Sequence, residues 1–340
     1  MSTNSGAPRA AIVGCSGLVL TDEERRLFER EQPLGFILFA RNVQAPEQVR
    51  ALVRDFRSVV GRADAPVLID QEGGRVRRLR PPLWYDAPTG AVVGGLAGRS
   101  PDLAIEAARL NARLIAADLV DLGIDVDCAP VLDVPAPGSH DIVGDRAYSA
   151  DPDWVIALGR ATHEGLLDGG VLPIIKHIPG HGRAFADSHL ELPVVSASLD
   201  ELRAFDFRPF RALADAPWAM TAHIVYQAVD RDRPATWSPA VIDGVIRGEI
   251  GFDGVLVSDD VSMKALTGPF ADRTRAALDA GCDVVLHCNG DMAEMSAVLA
   301  AAPPLTEAAQ HRLARAAAQK RAISPPERTT AVAQVDRWLG

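Results

Sequence analysis

Short apolar runs recur along the chain at strand length, and stretches with helical periodicity separate them. This alternation constrains the fold more than any other feature. The runs cover residues 10–14, 35–39, 66–70, 124–129, 172–175, 219–223, 254–258 and 283–287. Each is apolar at nearly every position, as expected of parallel strands covered on both faces. Between the second and third, residues 46–60 place Val49, Leu52, Val53, Phe56, Val59 and Val60 on one helical face, with Gly61 at the end. Ser100-Pro101, Asp151-Pro152 and Ser238-Pro239 each set a capping side chain before a proline suited to the first helical position. Residues 199–213 also read as helical, with Pro209 expected to kink or shorten the helix. Eight strands alternating with helices over some 300 residues favour a (β/α)8 barrel over an open sheet. No Gly-, Ser- or Pro-rich linker divides the chain, so residues 1–340 are expected to form a single domain. Helices from about residue 305, including an Ala/Arg-rich one at 306–321 and a shorter one after Pro326, should pack outside the barrel.

Composition narrows the function. A net charge of −10 with no offsetting basic block argues against nucleic acid as a partner. No stretch approaches the length of a membrane span. Residues 1–8 lack the charged start and apolar core of a signal peptide, so a cytoplasmic protein is expected. Cys15, Cys128, Cys282 and Cys288 lie in or beside apolar runs and read as reduced core thiols. Oligomeric state is not legible in the sequence, and a monomer is the simplest expectation.

The polar residues are distributed unevenly. Lys176-His177-Ile178-Pro179-Gly180-His181-Gly182-Arg183 follows the fifth apolar run, and Asp187-Ser188-His189 comes soon after. A hydrophobic core has no use for so many ionisable groups, and the prolines and glycines place them on a loop. Asp70 closes the third run and leads into Gln71-Glu72-Gly73-Gly74-Arg75-Val76-Arg77-Arg78. Asp133 follows the fourth, His223 ends the sixth, and Asp259-Asp260 ends the seventh. In a barrel of this kind, the C-terminal ends of the strands carry the chemistry.

Each group also has a structural reading. Successive strand residues face opposite ways, so Asp259 and Asp260 should not share one pocket. Asp260 is expected to cap a helix through Met263 to Leu266, which leaves Asp259 available. Asp187 and His189 suggest a carboxylate orienting an imidazole for acid–base work, or simply a solvated polar loop. His177, His181, Asp187 and His189 could instead supply zinc ligands, although their spacing fits no usual zinc signature. The Gly73-Gly74 pair would let the backbone approach a ligand closely, or merely form a turn.

Taken together and in this order, these motifs resemble glycoside hydrolase family 3, specifically the compact bacterial β-N-acetylglucosaminidases of peptidoglycan recycling. The resemblance extends from Gly35-Phe36-Ile37-Leu38-Phe39 to Asp279-Ala280-Gly281-Cys282-Asp283. It implies that Asp259 is the nucleophile of a retaining hydrolysis, with His189, paired to Asp187, as the acid/base. It also implies that Asp70, Arg78, Arg146, Lys176 and His177 hold the N-acetylglucosamine. Ile178 stands where the commoner pattern has phenylalanine. No metal or organic cofactor is implied, and the partner is a small carbohydrate or muropeptide. A phosphorylase using the same nucleophile, a zinc-dependent hydrolase and a catalytically silent sugar-binding protein are the competing functions.

Overall fold

The computed structural model describes residues 6–138, 141–184 and 191–340. Among them, eight strands close into a parallel barrel. They are β1 (Arg9–Val13), β2 (Pro33–Leu38), β3 (Val67–Ile69), β4 (Val126–Asp127), β5 (Leu172–Ile178), β6 (Trp218–Thr221), β7 (Val255–Asp260) and β8 (Val284–His287). Each strand pairs in parallel with its neighbour in sequence, and β8 returns to pair with β1, Ala11 opposite Val285. Helices lie between successive strands, as parallel crossovers require.

Alternation along the strands explains why the runs are apolar throughout. Ile12, Ile37, Leu68, Ile174 and Val257 fill the barrel interior. Their neighbours Val13, Phe36, Ile69, Ile175 and Leu256 face the helices. Every one of these side chains is fully buried, each contributing about 1.5–3 kcal/mol. Phe36 on β2 stacks on Phe56 of the helix Pro46–Val59 at 4.7 Å, which fixes that helix against the sheet. Gly61 takes φ +64° just past it, ending the helix as the sequence suggested.

The helix starts behave less uniformly. Asp151 caps the helix Pro152–Asp168 through Asp153 N–H, and Ser238 Oγ accepts from Val241 N–H. Ser100 makes no side-chain cap at the helix Pro101–Asp121, so there proline at the first position sets the start without one. The stretch 199–213 divides into Leu199–Ala204 and Phe207–Ala212. The break includes Phe205, the residue four before Pro209, whose carbonyl the proline ring would strike in a continuous helix.

Helix Glu307–Ala318 packs against the N-terminal mouth of the barrel through Ala309 and Ala316, beside Leu305 just before it. Helix Arg328–Leu339 lies outside, against Pro101–Asp121, where Arg328 pairs with Asp118. All four cysteines are buried thiols. Among the described residues, no helix is long and apolar enough to cross a membrane.

Candidate active site

At the C-terminal ends of the strands, a cavity of about 230 Å³ is bordered by Asp70, Arg78, Arg146, Lys176, His177 and Asp259. Six of the eight site residues named from the sequence therefore share one space. The other two, Asp187 and His189, lie outside the described residues. A larger cavity of about 760 Å³ opens at the opposite end of the barrel, among Leu34, Leu172, Trp218 and Leu305. It contains none of these groups, and in this architecture the N-terminal end serves stability.

Two pairs of consecutive residues reach the cavity together, against simple strand alternation. Lys176 and His177 do so on β5, where the register slips between Lys176 opposite Met220 and Ile178 opposite Thr221. Asp259 and Asp260 do so on β7, where it slips between Val257 opposite Val284 and Asp260 opposite Leu286. The extra residue in each case breaks the period of two and re-aims a side chain. Ser258 Oγ accepts from Leu286 N–H at the slip, repairing the ladder. The expectation that one of the two aspartates must face away is thus overturned.

The two carboxylates nonetheless differ. Asp260 accepts from Ser262 N–H at 2.9 Å, Ser262 Oγ at 2.6 Å and Cys288 N–H at 3.2 Å. These bonds close a tight turn and tie it to β8. No helix forms over 261–266, and the next begins at Phe270 after Pro269, so Asp260 is not the helix cap expected. Asp259 accepts the Asp260 N–H at 2.8 Å and borders the cavity.

The cavity wall is a buried ion network. Lys176 Nζ lies 2.8 Å from Asp70 Oδ1 and 2.6 Å from Glu72 Oε1. Arg78 reaches Asp70 Oδ2 at 3.0 Å, and Arg146 grips both oxygens of Glu72. Burial by itself would push both carboxyls up. The three cations overcome it, holding Asp70 well below the usual carboxylate range and Glu72 down to about 2. Burial likewise opposes the charge on Lys176, but Asp70 and Glu72 raise it above the ordinary lysine range. Lys176 is therefore a fixed cation, not a base.

Glu72 is the main residue absent from the sequence-derived set. Its place two residues after Asp70, in a chain segment leading away from a strand end, was the available signal. Gln71 between them is a clamp: its N–H donates to Asp127, and its side chain holds Arg78 N–H, Leu79 N–H and Leu79 O. That returns the chain so that Arg78 meets Asp70. Gly73, at φ +106°, packs where a Cβ would lie 2.2 Å from Pro88 O. Gly73 thus lets the chain approach the Pro88 backbone, Gly74 packs against the Thr89 side chain, and neither residue needs a ligand to explain it.

The loop after β5 is anchored at its root. Asp133 is fully buried and accepts from His177 N–H at 3.1 Å and His181 N–H at 2.7 Å through Oδ1. Its Oδ2 meets His177 Nδ1 at 2.7 Å. Tyr226 OH donates to Gly180 O, Ala136 N–H donates to Gly182 O, and Arg183 pairs with Asp206 at 2.7 Å. A Cβ on Gly182 would lie 1.8 Å from Val134 O, so only glycine fits there. Burial and the neighbouring His177 push the His181 imidazole down to about 4. Among the described residues, no group of three His, Cys, Asp or Glu side chains could hold a metal ion.

His223 takes a different role from the other strand-end residues. Its ring bridges Thr236 Oγ1 at 2.7 Å and Asp260 O at 3.0 Å, and it packs loops together without bordering the cavity.

The chain is similar to known proteins along most of its length. Residues 14–320 match the glycosyl hydrolase family 3 N terminal domain. A β-hexosaminidase of Alkalilimnicola ehrlichii is 41% identical over 308 residues, covering 89% of this chain and 87% of its own. One from Idiomarina loihiensis is 37% identical over 336 residues, covering 96% and 99%. The crystal structure of NagZ from Neisseria gonorrhoeae in complex with N-trifluoroacetyl-D-glucosamine superposes with a TM-score of 0.88 at 30% identity, covering 98% of this chain and 99% of that one.

Proposed function

The chain belongs to glycosyl hydrolase family 3 as a β-hexosaminidase, and on that premise we propose that it removes terminal β-linked N-acetylglucosamine with retention of configuration. The observation that carries this reading is the position of Asp259. It sits at the end of a rigid strand, in a sugar-sized cavity whose remaining wall is the Asp70–Arg78–Lys176–Glu72–Arg146 network. Such a wall suits a substrate rich in hydroxyls, each of which both donates and accepts hydrogen bonds.

In the proposed reaction, the Asp259 carboxylate attacks the anomeric carbon as the glycosidic bond breaks. His189, oriented by Asp187, gives its proton to the leaving oxygen and later takes one from water, which attacks the glycosyl ester and releases Asp259. Asp70, Arg78, Arg146, Lys176 and His177 hold the sugar. The Neisseria relative binds an amide-bearing glucosamine, which supports an N-acyl sugar here. The reading extends to a muropeptide substrate of cytoplasmic cell-wall recycling.

Water is favoured over phosphate as the acceptor. Among the described residues, each cation bordering the cavity is already opposed by a carboxylate: Arg75 by Asp145, Arg78 by Asp70, Arg146 by Glu72, and Lys176 by Asp70 and Glu72. The test is product analysis on a chromogenic N-acetyl-β-glucosaminide beside the matching β-glucoside, with and without phosphate and with a chelator. Free N-acetylglucosamine under all conditions supports the reading. N-acetylglucosamine 1-phosphate would indicate a phosphorylase, and loss of activity with chelator a zinc enzyme.

A further inference from the structure

The contacts around the loop after β5 assign a role to a residue that does not touch the cavity. Asp133 lies just beyond β4, fully buried, and is bound from three directions. Two backbone N–H groups, from His177 and His181, fix Oδ1. With Oδ1 held by these two amides, the second oxygen is the one left to face the His177 ring. Oδ2 meets His177 Nδ1 at 2.7 Å. The His181 ring, edge-on at 5.5 Å between centroids, holds the plane of the His177 ring from the side. Only one other ring nitrogen remains, and His177 borders the cavity while Asp133 does not.

We propose that Asp133 is a positioning residue that fixes the Nδ1–H tautomer of the His177 ring, so that Nε2 faces the cavity as a hydrogen-bond acceptor for one sugar hydroxyl. The inference rests on the sugar-binding reading above for the identity of the donor, but not for the tautomer. Asp133 meets two backbone N–H groups and the ring nitrogen, and as the acceptor in all three contacts it places a ring proton on Nδ1. A bare Nε2 accepts a hydrogen bond that a protonated Nε2 would refuse. The site would thus require a hydroxyl donor at that place on the sugar.

Asp133→Asn separates this role from a purely structural one. Asn Oδ1 can still accept both backbone amides, but its NH2 group now faces Nδ1 and drives the ring proton to Nε2. Two measurements read the outcome. In 15N-histidine-labelled protein at pH 8, with the His177 signals identified by their loss in His177→Ala, the wild type should show the Nδ1–H tautomer and Asp133→Asn the Nε2–H tautomer. In kinetics, Asp133→Asn should lower kcat/KM on the parent glycoside about 10- to 100-fold, as for one lost buried hydrogen bond. One analogue of the 3-, 4- and 6-deoxy series should escape that loss, because it lacks the hydroxyl involved.

An Nε2–H tautomer in the wild type overturns the proposal, even if Asp133→Asn fails to fold. So does an equal loss on the parent and all three deoxy substrates. If no N-acetylglucosaminide is turned over at all, the functional reading fails while the spectrum still decides the role of Asp133.

Discussion

Glu72 binds Arg146 through both carboxylate oxygens, each at 2.8 Å, and holds Lys176 with the same group. The chain segments involved lie far apart in sequence, so this contact ties the turn after β3 to the loop after β4 and to β5. A bidentate pair fixes orientation as well as charge. Removing one member leaves buried cations without their counter-charge, which costs more than the pair contributes when intact.

Glu72→Gln should therefore lower unfolding stability by about 3–5 kcal/mol, measured as a shift in the urea midpoint at pH 7. The pH dependence follows from the depressed values of Glu72 and Asp133, both about 2. Carboxyls that are more acidic when folded stabilise the protein above their unfolded pKa and lose that contribution as pH falls through the folded value. The wild type should lose stability between about pH 4.5 and 2, and Glu72→Gln should show a shallower loss over that window. An unchanged midpoint at pH 7 would mean that the network is solvated and contributes little.

Asp127 on β4 makes the opposite prediction. It is fully buried, Oδ1 accepts from Gln71 N–H, and Oδ2 has no hydrogen-bond partner. Burial pushes its carboxyl well above the ordinary range. A group whose folded pKa is raised gives stability below the unfolded pKa and loses it as pH rises towards the folded value. Asp127→Asn keeps the Gln71 contact without the ionisable group. Its stability relative to wild type should grow with pH above about 4, at up to about 1.4 kcal/mol per unit. Thermal midpoints from pH 4 to 8 test this, and a constant difference would refute it.

Asp259→Ala should abolish turnover while N-acetylglucosamine binding, followed by calorimetry, stays within a few-fold of wild type. The substitution removes the bond-forming group and leaves the Asp70–Arg78–Lys176 wall in place. A fluorinated glycosyl trap should label Asp259 in the wild type, as read by peptide mass spectrometry. Label on Asp260 or Asp70 would move the nucleophile.

His189→Ala should be sensitive to the leaving group, because a double displacement uses the acid/base twice. A glycoside of a very acidic phenol should form the glycosyl-enzyme at near-normal rate and accumulate it. An alcohol leaving group should react more slowly by about 10²–10⁴-fold. Azide, which attacks without a base, should restore turnover of the phenyl substrate. Asp187→Ala should show a weaker form of the same pattern. Equal slowing for both leaving groups, with no azide rescue, would make His189 a binding residue.

Much of this was legible in the chain itself. The eight apolar runs mark eight strands because parallel strands buried on both faces need side chains of one kind, and that requirement is local. Asp70, Lys176, His177 and Asp259 border one cavity for a related reason: the barrel gathers strand ends, so polarity at the end of an apolar run is itself a positional signal. Proline placed two helix starts through its fixed φ and missing N–H, and the break before Phe207 through a clash that reaches only four residues.

Tertiary structure decided what depends on partners far along the chain. Whether Asp259 and Asp260 face one way was set by the register of β7 against β8, which no period within residues 255–260 reveals. Glu72 became part of the wall because Arg146 and Lys176 arrive from other loops to neutralise it. His223 was drawn away from the chemistry by Thr236 and the Asp260 carbonyl, although its strand-end position matched the others. Periodicity and sterics act over a few residues and can be read directly. Charge pairing and register are settled between segments only when the barrel closes.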